Sequence, residues 1–452
     1  MPIVLGKKRK CPDCGALAFG SLRIGQKWGG QDYLELACEK CWSTYECDLP
    51  RLQKRILYLD QSAISLMMRD RQTGKDTRWS ELLGRLKSMV QWQRLICPSS
   101  WEHRQESELS KDRYPRLMDT CRDLAMGDRL RGSWDVLDAQ IYKALKAFMS
   151  GEEATWCFES RDAFKDDPNA WHDLLAIDVD FGRQPDQVAD RRKSKMGVHA
   201  DMESLYSDPK YLQGSFEEHV QRETEGFARG LTWAFDKQRR ELLEMMCGQR
   251  LSDPLAFLSS PGAQAVQMVL MAIQQESQTD DLGTKAREFF FSPQFASVPV
   301  VRINAILRAA MALKARDSGR NPKPSDQCDV DVISSYLPYC DAMLIDGEMR
   351  SLATDGRARL GQDYGTRLFS ARVLPRLHEW LEEVEISFPD HLKRAVSDVY
   401  EEHFDKLNLR KGRNLLEARK ALFSMRPTTR PPMTRPKPSK KGREDHDDKE
   451  RP

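Results

Sequence analysis

The chain has 452 residues, of which 40% are hydrophobic and 31% charged, and its formal net charge is +2. This length allows two or three domains with real cores, and the composition excludes a wholly disordered chain. No apolar run is long enough to span a bilayer and no secretory signal is recognisable, so we expect a cytoplasmic protein without a membrane partner.

Residues 1–50 predict a small β-hairpin ribbon, because stretches of alternating hydrophobicity are separated by glycine-rich turns. Two Cys-x-x-Cys pairs, Cys11 with Cys14 and Cys38 with Cys41, lie in this segment. Their spacing predicts a structural zinc site of the zinc-ribbon type. Four thiolates leave no open coordination position, so we expect Zn²⁺ to stabilise the fold and not to catalyse a reaction.

The role of this ribbon has two interpretations. Its basic and aromatic side chains could hold a phosphate backbone and stack bases, or the ribbon could be a structural knob packed on the rest of the protein. The residues concerned are Lys7, Lys8, Arg9, Lys10, Arg23, Lys27, Trp28, Tyr33 and Trp42. The other seven of the 11 cysteines are scattered, which is typical of a reduced, intracellular protein.

An α/β pattern begins at Arg55, where strands at 56–60 and 95–98 are each followed by a helix. Strands that alternate with helices predict a parallel sheet. Residues 111–294 show helical periodicity without strands, which predicts a large α-helical insertion. The insertion is a candidate surface for a protein partner or for self-association.

The α/β pattern resumes at residue 295, so residues 55–110 and 295–385 are predicted to form one discontinuous domain. It has a helix at 326–337, capped by Ser325, and strands at 342–346 and 366–370. We expect further helices over 386–424. Residues 425–452 are proline-rich and charged and are expected to be a disordered tail.

Two acids follow predicted strands: Asp60 ends the first strand and Asp346 ends the third. The carboxyl ends of parallel strands meet at one edge of a sheet, where α/β proteins bind ligands. An alternative role for Asp60 is to cap the helix that follows it. Asp341 precedes the third strand, so we expect it at the opposite edge in a structural role.

Further acids lie near the starts of two helices. Asp326 and Asp329 fall in the first turns of one helix, where the helix dipole favours acids. Glu102 and Glu106 share a face of the helix after the second strand, although a solvated polar helix has the same pattern. His103 could shuttle a proton, but a lone helical histidine is more often a surface group.

Such acids repel one another unless a cation neutralises them, so their convergence would predict a divalent metal site. Three segments in this order, YLDQSAIS, SSWEHRQESEL and SDQCDVDVISSYLPYCDAMLID, resemble the PIN-like nuclease domain, especially bacterial variants with a PYCD segment. The resemblance implies a PIN-like Rossmannoid parallel sheet flanked by helices. One departure is Ile345, where PIN domains commonly have threonine before the last acid.

The resemblance implies four catalytic acids, Asp60, Glu106, Asp329 and Asp346, with Glu102 and Asp326 as secondary candidates. It also implies that Asp60, Asp329 and Asp346 bind Mg²⁺ or Mn²⁺, ions that prefer carboxylate ligands.

The implied activity is metal-dependent endoribonucleolytic cleavage, with RNA favoured over DNA because PIN relatives mostly cut RNA. A toxin or phage-defence role would suit this combination of domains. The alternatives are a structure-selective DNA nuclease and a catalytically inactive protein that binds nucleic acid or serves as a scaffold.

Overall fold

The fold combines a parallel sheet with a small antiparallel sheet at the N-terminal end of the chain, as the sequence predicts. The computed structural model describes residues 5–73, 77–109, 113–172, 185–247, 261–276 and 281–400. Within these ranges, none of the helices is both long and apolar enough to cross a lipid bilayer.

The antiparallel sheet is the predicted β-hairpin ribbon. Its strands lie in chain order and are β1 (Leu5–Lys10), β2 (Leu17–Gln26), β3 (Asp32–Cys38) and β4 (Thr44–Asp48). Gly29 and Gly30 turn the chain between β2 and β3 with φ angles of 110° and 85°, a region that favours glycine. The cysteine pairs lie at the opposite end of this hairpin from the turn.

The parallel sheet has the strand order β6-β5-β7-β8. Its strands are β5 (Arg55–Leu59), β6 (Leu95–Ile96), β7 (Ala342–Leu344) and β8 (Arg367–Phe369). All three neighbouring pairs are parallel, which confirms the prediction. Three of the observed strands are shorter than predicted, whereas β5 has the predicted length and begins one residue earlier. β6 ends two residues before Pro98, which has no backbone N–H for a ladder.

The next helices belong to the first α/β segment and to the first part of the predicted insertion. They are α1 (Gln61–Thr73), α2 (Thr77–Gln91), α3 (Trp101–Leu109), α4 (Tyr114–Ala125), α5 (Ser133–Ser150), α6 (Ser160–Ala163), α7 (Pro185–Tyr206), α8 (Pro209–Leu212) and α9 (Phe216–Met246).

The remaining described helices complete the predicted insertion and the second half of the α/β region. They are α10 (Pro261–Glu276), α11 (Leu282–Phe290), α12 (Pro293–Ala296), α13 (Pro299–Ser318), α14 (Asp326–Tyr336), α15 (Gly347–Ala353), α16 (Leu360–Asp363), α17 (Leu374–Ser387) and α18 (Asp390–Tyr400), with 3₁₀ turns at Leu337–Tyr339 and Ala371–Val373. The predicted helices over 401–424 and the tail at 425–452 lie outside the described residues.

The central strand β5 divides the hydrophobic core into two parts. Leu57 and Leu59 face one cluster, which contains residues of α1, α2 and α17, whereas Tyr58 faces the other. The cluster around Tyr58 includes Ile141 of α5 and Val269 of α10. Helices α5 and α10, which were predicted to belong to an insertion, therefore share one hydrophobic core with the sheet.

The ribbon packs against the segment around Trp171. The backbone N–H of Trp171 donates to the Asp32 carboxylate (3.2 Å), and the indole N–H donates to the carbonyl of Pro50 (2.8 Å). Nearby, the Lys54 ammonium donates to the carbonyl of Ala170 (2.6 Å), and burial lowers the pKa of Lys54 to about 8. These contacts anchor the end of the ribbon that lies farthest from the cysteines.

Candidate functional site

Asp60 and Asp346 follow the two central strands of the parallel sheet. β5 and β7 pair with Leu59 opposite Leu344, and the backbone N–H of Asp60 donates to the carbonyl of Leu344 (2.9 Å). From β5 the chain passes to β6 on one side, and β7 lies on the other side, so the strand order reverses between β5 and β7. Open α/β sheets bind ligands in the crevice at such a switch point.

Both acids also cap the helices that they precede, so for Asp60 the alternative interpretation is correct as well. Oδ2 of Asp60 accepts from the backbone N–H of Ser62 (3.3 Å), and Oδ1 of Asp346 accepts from the backbone N–H groups of Glu348 (2.7 Å) and Met349 (3.3 Å). Capping uses one oxygen of each carboxylate. The other oxygen of each takes no part in the cap, and both side chains are partly exposed at the sheet edge.

Asp329, in the first turn of α14, has the most perturbed carboxylate at this edge. Burial raises its pKa to about 8, assisted by the negative charges of Asp60, Glu106, Asp326 and Asp346. Within the described ranges no side chain donates a hydrogen bond to the Asp329 carboxylate. The ionised form of Asp329 therefore lacks a stabilising side-chain partner in the described part of the chain, and the charges of the neighbouring acids disfavour it further.

Glu106, on α3, joins this cluster from the other side of β5. Burial and the negative charge of Asp60 raise its pKa. Its Oε1 lies 3.7 Å from Nζ of Lys195, and it is also close to the thiol of Cys328. Glu106 therefore lies within ion-pair distance of a lysine.

The secondary candidates have partners. Glu102 is 7% exposed and accepts a hydrogen bond from the hydroxyl of Tyr336 (2.9 Å). Asp326 is 2% exposed; its Oδ2 accepts from the Arg320 guanidinium (2.7 Å) and from the backbone N–H of Lys323 (2.8 Å). Both acids are buried and hydrogen-bonded, and Asp326 is also paired with a cation, whereas Asp60, Glu106, Asp329 and Asp346 are partly exposed.

The prediction that Ser325 caps α14 is wrong. Ser325 has a helical backbone conformation and its side chain makes no capping hydrogen bond. Instead, the Asp326 side chain accepts the N–H of Lys323 in the preceding turn. Asp326, which is also paired with Arg320, thus stabilises the turn that precedes α14.

His103 is buried and is not the surface group that its helix suggested. Its ring is 2% exposed and stacks on Tyr58 at 5.0 Å. Nδ1 accepts from the backbone N–H of Ser100 (3.1 Å), so the proton is on Nε2, which donates to the carbonyl of Leu59 (2.6 Å). Burial lowers its pKa. The neutral ring therefore ties α3 to the end of β5, next to Asp60, and is not a free proton shuttle.

Helix α7 of the predicted insertion crosses beside this edge. Arg192 donates to the carbonyl of Leu109 at the end of α3 (2.8 Å), Lys195 approaches Glu106, and Nε2 of His199 lies 3.2 Å from the carbonyl of Pro322. One basic helix face thus lies between α3 and the loop before α14. This contact could not be predicted from the sequence, because basic residues at helical spacing are typical of a solvated face.

A cavity of about 620 Å³ lies at the outer strand β8, away from the acids. Arginines dominate its charged lining, although Arg367 pairs with Glu383 (2.8 Å). The arginines are Arg350, Arg359, Arg367 and Arg376. The cavity is cationic and does not contain the acids of the sheet edge, so it is not the acidic site itself.

The four ribbon cysteines converge as predicted and can hold a metal ion such as zinc. Their sulfur atoms all lie within 4.8 Å of one another. Cys11 and Cys41 are 3.5 Å apart and Cys14 and Cys38 are 3.7 Å apart. Zn–S bonds of about 2.3 Å in a tetrahedron place sulfur atoms about 3.8 Å apart, whereas a disulfide requires about 2.05 Å. The spacing therefore fits a four-thiolate metal site and not disulfides.

No such compact group forms from acids among the described residues; the cysteines are the cluster that meets this spacing. The acids at the sheet edge perturb one another electrostatically but are more widely spread. Comparisons of the chain with protein-family models, curated proteins and solved structures give no match. The function of the acidic edge is therefore argued from its own chemistry.

Proposed function

We propose that this protein is a metal-dependent nuclease that hydrolyses phosphodiester bonds in RNA. The observation that carries the proposal is the Asp329 carboxylate at the switch point of the parallel sheet, which accepts no side-chain hydrogen bond from the described residues and has a raised pKa. The neighbouring acids disfavour the ionised form of Asp329, and a cation bound among them would stabilise it. A site that binds a cation at a strand edge, open to solvent, suits metal-assisted hydrolysis.

Hard divalent cations fit this donor set. Asp60, Asp329 and Asp346 offer carboxylate oxygens, which Mg²⁺ and Mn²⁺ prefer, and the wide spacing of the acids leaves room for water ligands. When bound, such an ion would lower the pKa of a coordinated water and offset negative charge on a phosphate. The two caps fix the orientation of Asp60 and Asp346, so their uncommitted oxygens are positioned before any cation arrives.

Glu106 and Lys195 supply the remaining groups. The Glu106 carboxylate lies beside Asp60 and can accept a proton. Its raised pKa brings it closer to the range in which a carboxylate exchanges protons near neutral pH. The Lys195 ammonium lies beside this acceptor and can donate to a phosphate oxygen of a bound strand. The arginine-lined cavity at β8 adds a second cationic surface on the same sheet, which also suits a polyanionic substrate.

RNA is proposed as the substrate on family analogy. The segments around Asp60, Glu106, Asp329 and Asp346 resemble the PIN-like domain, whose members mostly cut RNA, and the PIN-like fold remains part of this proposal. A toxin or phage-defence role is proposed on the same analogy. For the cysteine cluster, we propose a structural Zn²⁺, because four thiolates at tetrahedral spacing select soft or borderline metals over Mg²⁺.

The test is cleavage of labelled single-stranded RNA, single-stranded DNA and duplex DNA by the purified protein, with and without Mg²⁺ or Mn²⁺. We expect RNA cleavage that requires a divalent ion. Asp329→Asn should reduce it by more than about 100-fold, since the loss of even an outer-shell group costs about 10- to 100-fold. Asp341→Asn is the matched control, since this acid lies at the other edge of the sheet.

Three results would contradict the proposal. Cleavage restricted to DNA would favour a DNA nuclease. Binding of RNA without cleavage in either metal would favour an inactive binding protein. Cleavage that survives Asp329→Asn would remove the acidic edge as the site.

A further inference from the structure

Trp42 has a backbone conformation that bulky residues rarely adopt. Its φ angle is 68°, in the left-handed region, and its side chain is 57% exposed. A non-glycine residue in this region is strained, and for a residue of this size the conformation is uncommon. Because the side chain remains largely in solvent, contacts within the folded ribbon do not account for a tryptophan at this position.

The first cysteine pair shows what the local fold requires. Gly15 follows Cys14 with a φ angle of 70°, and its N–H donates to the carbonyl of Cys11 (2.9 Å). Trp42 follows Cys41 in the same turn, and its N–H donates to the carbonyl of Cys38 (3.0 Å). The two turns are equivalent, and one uses the glycine that the backbone favours. The backbone of the second turn would favour glycine in the same way, so its conformation does not explain why Trp42 is a tryptophan.

The groups around Trp42 at this end of the sheet are apolar. The described ribbon core consists of Cys11, Phe19 and Cys38 with neighbours Ala18 and Leu36, and it does not include Trp42. Leu17 and Tyr45, which border the same end of the sheet, are also exposed. This end therefore presents an aromatic face together with other exposed apolar groups.

The acids near the cysteine turns are engaged. The hydroxyl of Tyr45 donates to Asp13 (2.6 Å), and Lys8 pairs with Glu39. Lys40, two residues before Trp42, is exposed and forms no ion pair among the described residues. The second cysteine turn thus combines an available cation with an exposed indole face, whereas the first carries an acid and a glycine.

We infer that the Trp42 indole is a stacking platform for a base of single-stranded nucleic acid, with Lys40 beside it contacting a phosphate. Single-strand binding proteins combine these two elements, because every base has a face that stacks and every linkage has a negative charge. The choice of nucleic acid as the occupant rests on the proposed function. The surface itself lies at the cysteine end of the ribbon, opposite the end that packs on Trp171.

The test measures binding of a labelled single-stranded RNA of about 12 nucleotides by fluorescence anisotropy, with the full chain in buffer without added Mg²⁺ or Mn²⁺. Trp42→Gly should weaken binding about tenfold, because one stacked base contributes on that order. Trp42→Phe should retain most of the affinity. Trp233→Ala, which removes a comparably exposed tryptophan from α9, should bind like the wild type.

Thermal unfolding of the same variants separates function from folding. Since Trp42→Gly relieves a strained backbone, its unfolding midpoint should equal or exceed that of the wild type. A lower midpoint would overturn the inference, since Trp42 would then be structural. Wild-type affinity in Trp42→Gly would also overturn it and would favour a protein partner for this surface. If the wild type binds this RNA through Trp42 but cleaves no RNA in either metal, the nuclease proposal fails and this inference stands, so the two failures are distinguishable.

Discussion

Asp341 and Asp346 lie at opposite edges of the parallel sheet, although they bracket the same short strand, β7. Asp341 accepts hydrogen bonds from the Arg55 guanidinium (2.7 Å) and from the backbone N–H of Ile56 (2.8 Å) at the start of β5. Asp346 follows the strand at the edge where Asp60 and Asp329 converge. One acid is committed to fastening two strands, and the other contributes to a group of charges that repel one another.

This contrast leads to a prediction about Asp346. Asn caps a helix about as well as Asp, so Asp346→Asn should change the free energy of unfolding by less than about 1 kcal/mol while it removes a negative charge. Asp346→Ala loses the cap and should cost about 0.5–2 kcal/mol. Urea denaturation measures both values, and calorimetric titration should show that each variant has lost Mn²⁺ binding. Normal Mn²⁺ binding by Asp346→Asn would show that the residue is only a cap.

A second prediction concerns the pH dependence of stability without added divalent metal. Asp329 has a pKa of about 8 in the folded state against an ordinary value of 3.8, so between these values the folded chain holds a proton that the unfolded chain lacks. Its contribution is full below pH 3.8 and is lost as the pH rises towards 8. Asp329→Asn should therefore flatten this decline, and at pH 8 it should be more stable than the wild type.

Glu348 provides the opposite case as a control. Burial alone would raise its pKa, but Lys323 and Arg320 lower it to about 2 from 4.5. This carboxylate stabilises the folded state above pH 4.5, and the contribution disappears as the pH falls towards 2. Glu348→Gln should thus lower stability at neutral pH and leave the slope between pH 5 and 8 unchanged. Chemical denaturation at a series of pH values measures the free energy of unfolding of both variants. An unchanged slope in Asp329→Asn, or a changed slope between pH 5 and 8 in Glu348→Gln, would contradict these expectations.

A third prediction concerns Lys195, which neutralises Glu106 in the absence of a metal. The ion pair is partly exposed, so Lys195→Gln should change stability by no more than about 1 kcal/mol. Removal of this competing positive charge should lower the Mn²⁺ concentration that gives half of the thermal stabilisation, and it should weaken RNA binding. Lys193→Gln, on the same helix but exposed, is the matched control. An unchanged Mn²⁺ midpoint would mean that Lys195 and the metal do not compete.

A fourth prediction concerns the cysteine cluster. Elemental analysis of the wild type should find one equivalent of zinc, and Cys11→Ser combined with Cys14→Ser should release it. Hydrogen exchange should then lose protection in residues 1–50, because such a small core depends on its metal. Cys47→Ser lies outside the cluster and should keep the zinc. Wild-type protein free of zinc would refute the assignment.

The parallel sheet could be predicted because its strands are short buried runs in which neighbouring residues are all apolar. Leu57, Tyr58 and Leu59 are buried on both faces of the sheet, so their continuous hydrophobicity is a direct record of their position. The place of Asp341 at the opposite edge followed from strand direction alone. The ribbon was equally predictable, since the cysteine spacing is fixed by metal geometry.

Other features depend on contacts between distant parts of the chain. His103 is buried because Tyr58 stacks on it and the Leu59 carbonyl accepts its proton, neither of which its helix reveals. Lys195 reaches Glu106 from a helix with no sequence motif. The shared core of the sheet and the inserted helices was also unpredictable, because the periodicity of a helix identifies its buried face but not what covers that face.

The arrangement of β5 and β7 also affects how the protein is made. Ile56 and Asp341, which are hydrogen-bonded across these strands, lie 285 positions apart in the chain. At about 5–20 residues per second, a ribosome needs roughly 15–60 s to synthesise the interval between them. Until then β5 lacks β7, one of its two neighbouring strands, and Asp329 and Asp346 have not yet been synthesised to join Asp60. The acidic edge can therefore assemble only after most of the polypeptide has emerged from the ribosome.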